Sequence, residues 1–235
     1  MNKDRRVMLK LSGEALAGEK HMGFDEETVK TVALEVKEAY DKGVEIAIVI
    51  GGGNFWRGRS NKAFDRVKAD QIGMLATVMN CIYVSEVFRN CGMETKVFSA
   101  FEIPGIAPVF DKDEVMTALK EKKVVFFAGG TGHPYFSTDS GIALRAIEIE
   151  ADCILLAKAV DGVYDSDPAK NPDAKRFDKL SITEVVEKKL QVIDMTASIL
   201  CMENHMPLSV FSLNKQGAIA DALNGKIDGT IITAD

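Results

Sequence analysis

The chain has 235 residues, enough for one α/β unit with a sizeable core, and its 46% hydrophobic and 27% charged residues are the make-up of a folded rather than a disordered protein. A net charge of −6 with no basic block does not favour a nucleic-acid-binding surface, so any anionic ligand has to be held by a local site against the global field. The cysteines Cys81, Cys91, Cys153 and Cys201 form neither a CxxC pair nor a zinc-ligand spacing, and read as reduced, mostly buried thiols of a cytoplasmic protein.

The first predicted strand, VMLKL (7–11), follows a basic N-terminus whose apolar run is broken by Lys10, a poor signal peptide. The longest uncharged stretches, 71–85 and 124–138, fall short of the ~20 apolar residues of a membrane span, so a soluble protein with no membrane partner is expected. The strand runs out into Ser12-Gly13. GEALAGEK (13–20) spaces its glycines as a P-loop does, but Glu19 stands where the lysine belongs, and that reading is rejected. Lys10 itself, inside an apolar strand, needs an anion or a carboxylate partner if it is buried; an outward-facing edge lysine is the alternative. A helix over 25–43 follows, capped by Asp25, with Val29, Val32, Ala33, Val36, Ala39 and Tyr40 on one face and Gly43 as its stop.

The second strand (44–50) opens into GGGNFWRG. This is not the dinucleotide fingerprint, because Trp56 occupies the position of its last glycine. Glycines followed by Arg57 still describe an anion cradle; a plain turn anchored by Phe55 and Trp56 is the other reading. A helix over 67–90, a strand over 95–98, a helix over 112–122 and a strand over 124–128 come next. The exit of that fourth strand, GGTGHPYFSTDSG (129–141), joins glycines and hydroxyls to a helix start near Asp139, a ready anion site. Asp139 is also the natural partner for the Lys10 ammonium if the two face each other. His133 is read as a turn residue without proton chemistry. The helix over 139–150 is followed by a strand (153–157) and a turn-rich surface excursion (161–180). One helix over 181–204, a strand over 208–212, a helix over 215–224 and a strand over 230–233 complete the chain.

Strands alternating with helices in this way imply a single domain with a mostly parallel sheet covered on both faces, and ligands at the carboxyl ends of its strands. Three glycine-rich exits with Lys10 and Arg57 hold more phosphate than one cradle needs, which points to phosphoryl transfer between two phosphorylated partners. Such chemistry asks for positioning and positive charge, in keeping with the lack of a Ser-His-Asp or Cys-His set. A kinase acting on an amino acid, and a nucleotide-binding regulator without catalysis, remain open on these residues alone.

The segments KLSGEAL (10–16), VIGGGNFWRG (49–58), GMLATVMN (73–80), AGGTGHPYFSTDS (128–140), EIEAD (148–152), VDGVYDSDP (160–168) and VIDMTA (192–197), with the tail 214–232, closely resemble bacterial uridylate kinases (UMP kinases) of the amino acid kinase superfamily. The resemblance runs in order along nearly the whole chain. It implies a three-layer α/β/α domain of the carbamate kinase-like fold, acceptor side first and donor side from about 151. The implied reaction moves the γ-phosphoryl of Mg-ATP to UMP on the route to UTP and CTP, with Mg2+ carried on the ATP phosphates and no protein metal ligands. Lys10, Arg57, Asp139 and Asp194 would be catalytic, the two aspartates orienting the lysine and the arginine. Lys10, Leu11, Ser12, Gly13, Gly53, Arg57, Lys158, Tyr164 and Asp167 would contact ATP. Gly52, Asp70, Thr131, Gly132, His133, Pro134, Tyr135, Phe136, Ser137 and Thr138 would hold UMP, with Asp70 accepting from ribose hydroxyls. Gly18, Glu19, Lys20, His21, Met22 and Gly23 match a segment tied to GTP activation; UTP feedback and a homohexamer are further implications. The chain departs from the family in LAKAVDG (156–162), where the lysine is shifted, and at His133, where asparagine is common.

Overall fold

The computed structural model describes residues 5–56, 64–190 and 192–234. Its strands are β1 (Arg6–Leu11), β2 (Glu45–Ile50), β3 (Thr95–Ser99), β4 (Val124–Ala128), β5 (Cys153–Lys158), β6 (Val163–Tyr164), β7 (Arg176–Phe177), β8 (Lys179–Ser181), β9 (Leu208–Ser212) and β10 (Gly229–Thr233). Its helices are α1 (Gly13–Leu16), α2 (Glu26–Tyr40), α3 (Arg66–Asn90), α4 (Lys112–Lys120), α5 (Thr138–Glu148), α6 (Ile182–Glu187), α7 (Met195–Glu203) and α8 (Ala218–Leu223). The main sheet has eight strands in the order β3-β4-β2-β1-β5-β9-β10-β8. Its neighbours run parallel except β9 and β10, which are antiparallel. Every strand predicted from the sequence is present.

Side-chain alternation along the central strands sets the whole layout. Val7, Leu9 and Leu11 of β1, with Ile46, Ile48 and Ile50 of β2 and Leu155 of β5, point into one core layer beneath α2, α3 and α8. Met8, Ala47, Val49, Ile154 and Leu156 point into the other, beneath α4, α5, α6 and α7. By the same period of two, Lys10 and Lys158 fall on the second face, the face of α5 and α7. Lys10 is level with Val49 on one side and Leu156 on the other, so it sits near the carboxyl ends of the central strands. β5 lies on the opposite side of β1 from β2, β4 and β3, a reversal that opens a crevice beside β1.

The predicted single helix over 181–204 is two helices. α6 starts in a capping box of Ser181 with Glu184 and ends at Glu187; Lys189 then takes a left-handed φ of 51°, and Asp194 caps α7 by accepting from Ala197 N–H. The caps are stronger local signals than the apolar period that bridges them. Within the turn-rich excursion, β6 and β7 pair as a small antiparallel ribbon and β8 joins the main sheet beside β10. The short α1 was not foreseen. Among the described residues α3 is long and apolar enough to cross a membrane by length and composition; here it packs on β3, β4 and α2.

Candidate active site

The strand exits converge on the amino end of α5. Ser137 caps this helix, its hydroxyl accepting from the N–H groups of Asp139 and Ser140. Asp139, in the first turn, faces β1 and pairs with Lys10; the two side chains are 17% and 19% exposed, lysine first. Partly withdrawn from solvent, each side chain finds its counter-charge in the other. Lys158 stands close to both. Burial holds its ammonium below the usual lysine range, Asp139 opposes that shift and Lys10 reinforces it, while the amine donates to the Val192 carbonyl. Lys10 and Lys158 thus set two amines against the one carboxylate of Asp139 at the mouth of the crevice.

Asp194 meets the same end of α5. Its carboxylate accepts from the hydroxyls of Ser137 and Ser140 as well as from Ala197 N–H, so it ties the amino ends of α5 and α7 together. Arg57, the arginine it was expected to orient, lies outside the described residues.

The first two glycine-bearing exits touch backbone to backbone. A Cβ on Gly13 would stand 2.1 Å from the Gly51 carbonyl oxygen, and one on Gly52 would stand 2.8 Å from the Gly73 oxygen on α3. Close approach, rather than turn geometry, therefore demands glycine at these positions. Gly53 comes against the Glu14 side chain. The N–H groups of Gly52, Gly53 and Gly130 have no hydrogen-bond partner among the described residues, which leaves donors for a bound anion.

One cavity opens at this junction, and a second begins at Lys158, across β1 from it. The smaller, about 140 Å³, lies between α3 and the exit of β4; Gly52, Asp70, Thr131, His133, Phe136, Ser137 and Thr138 line it. Gly132, Pro134 and Tyr135 belong to the same loop but do not line the cavity; Tyr135 donates its N–H to Asp70 at 2.8 Å, and Arg66 binds the same carboxylate oxygen at 2.7 Å. Gly130 and Ala69 also line it, and sequence reasoning gave no part in it to Trp56, Gly73, Met74 and Thr77, which complete the wall. The last three stand in the segment GMLATVMN, which was noted for its resemblance without any role being given to its side chains. Thr77 also accepts from Gly129 N–H at 2.8 Å and so pins the β4 exit to α3.

The larger cavity, about 560 Å³, lies beyond β5 and contains Lys158, Tyr164 and Asp167 among its lining residues. Lys170, Lys188 and Lys189 add cationic groups that the sequence did not single out. Tyr164 is held by donation to Asp161, which lowers the acidity of the phenol and keeps the Asp161 carboxyl below its ordinary range. An adjoining space of about 450 Å³ brings Lys158 together with Asp139, Asp194 and Ser198. The segment 18–23 sits apart from these cavities. It forms a 3-10 turn, Gly18–Lys20, then a left-handed His21 and an exposed Met22, and Gly23 rejoins the glycine turn through Asn54. No cluster of three or more His, Cys, Asp or Glu able to hold a metal occurs among the described residues.

The model of the amino acid kinase family matches residues 5–212. Among solved structures, a UMP kinase from Bacillus anthracis is 36% identical with a TM-score of 0.94, over 98% of this chain and 96% of that one. A UMP kinase from Ureaplasma parvum is 36% identical with a TM-score of 0.92, over 98% and 99% respectively. A uridylate kinase from Archaeoglobus fulgidus is 26% identical with a TM-score of 0.72, over 97% and 99%. The match over most of the chain, together with the close structural likeness to the UMP kinases, establishes that this chain belongs to the amino acid kinase family.

Proposed function

We propose that the chain transfers the γ-phosphoryl group of ATP to UMP, giving ADP and UDP. The observation that carries this reading is the Lys10–Asp139 pair at the amino end of α5, with a small hydroxyl-lined cavity at that helix start and a larger cationic one beginning at Lys158, across β1 from it. We assign the nucleoside monophosphate to the first and the nucleoside triphosphate to the second. An oxygen of the UMP phosphate attacks the γ-phosphorus, the bond to the β,γ-bridging oxygen breaks, and that oxygen leaves with ADP. Lys10, fixed by Asp139, and Lys158 offset the charge on the oxygens in transit, and the free amides of Gly52 and Gly53 hold them in line. Leu11, Ser12, Gly13 and Arg57 complete the donor-side contacts, Tyr164 and Asp167 take the ATP base and ribose, and Asp70 takes the UMP ribose. Among the described residues no cluster of carboxylates able to hold a metal occurs, and a Mg2+ carried on the ATP phosphates would neutralise part of their charge.

The same reading includes a cytoplasmic homo-oligomer, a hexamer as in the family it resembles, with GTP activating through the segment 18–23 and UTP inhibiting. Support for self-association comes from α3, whose residues Ile72, Leu75, Met79 and Ile82 form one apolar stripe, 37–54% exposed. The test of the reaction is ADP release with Mg-ATP and each nucleoside monophosphate in turn. UMP should be the preferred acceptor, and Lys10→Ala should lower kcat by about 10²–10³-fold, the loss typical of a group that stabilises transferring charge. Preference for an amino acid acceptor, or ATP binding without any turnover, refutes the reading.

A further inference from the structure

Asn54 and Asn80 have no part in the chemistry described so far, and both are buried, at 2% and 0% exposure. Each carboxamide uses both of its hydrogens and its oxygen. Asn80 Nδ2 donates to Gly51 O at 2.7 Å and to Asn54 Oδ1 at 2.8 Å. Asn54 Nδ2 donates to Asn80 Oδ1 at 3.0 Å and to Gly23 O at 2.8 Å. Gly23 N–H returns a bond to the Asn54 carbonyl at 3.1 Å. A buried amide pair is tolerated when every donor and acceptor is met, and here they are met across α3, the glycine turn and the end of the 18–23 segment.

The consequence for chemistry runs through one peptide plane. Gly51 C=O and Gly52 N–H belong to the same planar unit, so whatever fixes the oxygen fixes the direction of the hydrogen. Gly51 N–H is itself held by Leu11 O at 3.0 Å, so the residue is clamped on both sides. Gly52 N–H has no partner among the described residues, and Gly52 lines the smaller cavity. An apolar pair of similar volume could fill the space under the turn, but it could not hold the Gly51 carbonyl. Gly13, which cannot accept a Cβ because of Gly51 O and Asn54 Oδ1, seals the same joint from the β1 side.

We propose that the Asn54–Asn80 pair is a positioning device for phosphoryl transfer: by holding the Gly51 carbonyl it aims the Gly52 N–H at the phosphate in the acceptor-side cavity. This rests on the UMP-phosphorylating reading above. Asn80→Asp places a carboxylate oxygen against the Gly51 carbonyl and turns the peptide away. Asn80→Ser leaves room for a hydroxyl or a water to reach that carbonyl and restores part of the function. Val84→Ala, an apolar truncation one helical turn beyond Asn80 that removes none of the pair's hydrogen bonds, serves as the stability control. Kinetics are measured at 25 °C alongside melting curves. Asn80→Asp should lower kcat by tenfold or more with KM for ATP within twofold, Asn80→Ser should recover part of that loss, and Val84→Ala should melt earlier yet keep the wild-type kcat.

Folded Asp and Ser variants with kcat within twofold of wild type overturn the proposal. Failure of both variants to fold overturns it too, since the pair would then be a core element alone. A wild-type protein that does not phosphorylate UMP removes the reading beneath the proposal and the proposal with it, an outcome distinct from an active wild type with unaffected variants.

Discussion

Lys158, proposed above as an ATP contact, burdens the folded chain with a buried amine. Burial lowers its pKa, so between that lowered value and the ordinary 10.5 the unfolded chain binds more protons than the folded one. Stability linked to this group therefore rises with pH through that interval, and below it the buried cation is a standing penalty only partly offset by Asp139. Replacing it with an apolar side chain of similar length removes the penalty. Lys158→Met should melt no lower than wild type at pH 7, the advantage should shrink as pH approaches 10.5, and KM for ATP should rise at least tenfold. Melting curves of both proteins from pH 7 to 10 decide the matter. A variant less stable at pH 7, or a gap that widens with pH, would mean that the Val192 carbonyl bond outweighs the desolvation of the amine.

Among the elements, the junction of α6 and α7 is where local and periodic signals competed. Apolar residues such as Ile182, Val185, Ile193 and Leu200 continue a helical rhythm across 181–204, yet Asp194 offers a cap in the middle of it and the chain takes the cap. That carboxylate then serves the neighbouring helix as well, through Ser137 and Ser140. Removing it in Asp194→Ala should forfeit ~3 kcal/mol, about one from the cap and the rest from hydroxyls deprived of a charged acceptor. For a chain of this size that is roughly 6–12 °C in Tm. Asp194→Ser keeps a capping oxygen and should melt between the two; identical melting of the Ala and Ser variants would show that the cap contributes nothing. The strands and the Lys10–Asp139 pairing were legible because a period of two and a lysine inside an apolar run are local facts. The contacts of Thr77 and Asn80 were not, because both read as ordinary positions of an apolar helix until the β4 exit and the glycine turn are laid against them. The ribbon β6–β7 and the edge strand β8 escaped for a different reason: two or three residues are too few to show a period.

For the whole molecule, α3 is the element with surfaces facing two ways. Its inner side supplies Asp70, Gly73 and Thr77 to the acceptor-side cavity and Asn80 to the glycine turn. Its outer side carries the stripe of Ile72, Leu75, Met79 and Ile82, at intervals of three and four residues that keep them on one face. A helix apolar around its circumference is normally enclosed, and in a single chain this one is enclosed on one side only. A second copy laying the same stripe against it closes the surface with twofold symmetry, needing no complementary patch elsewhere. Leu75→Glu combined with Met79→Glu sets carboxylates against carboxylates across such an interface. Sedimentation velocity at micromolar concentration should then show a smaller species than wild type. If the stripe is only a solvent-facing surface, the charges are harmless and both proteins sediment alike. Because the inner face of the same helix borders the acceptor-side cavity, the dissociated variant should also show a raised KM for UMP, while KM for ATP, whose proposed site lies beyond β5, stays near the wild-type value. A smaller species with both constants unchanged would leave self-association standing and separate it from the acceptor site.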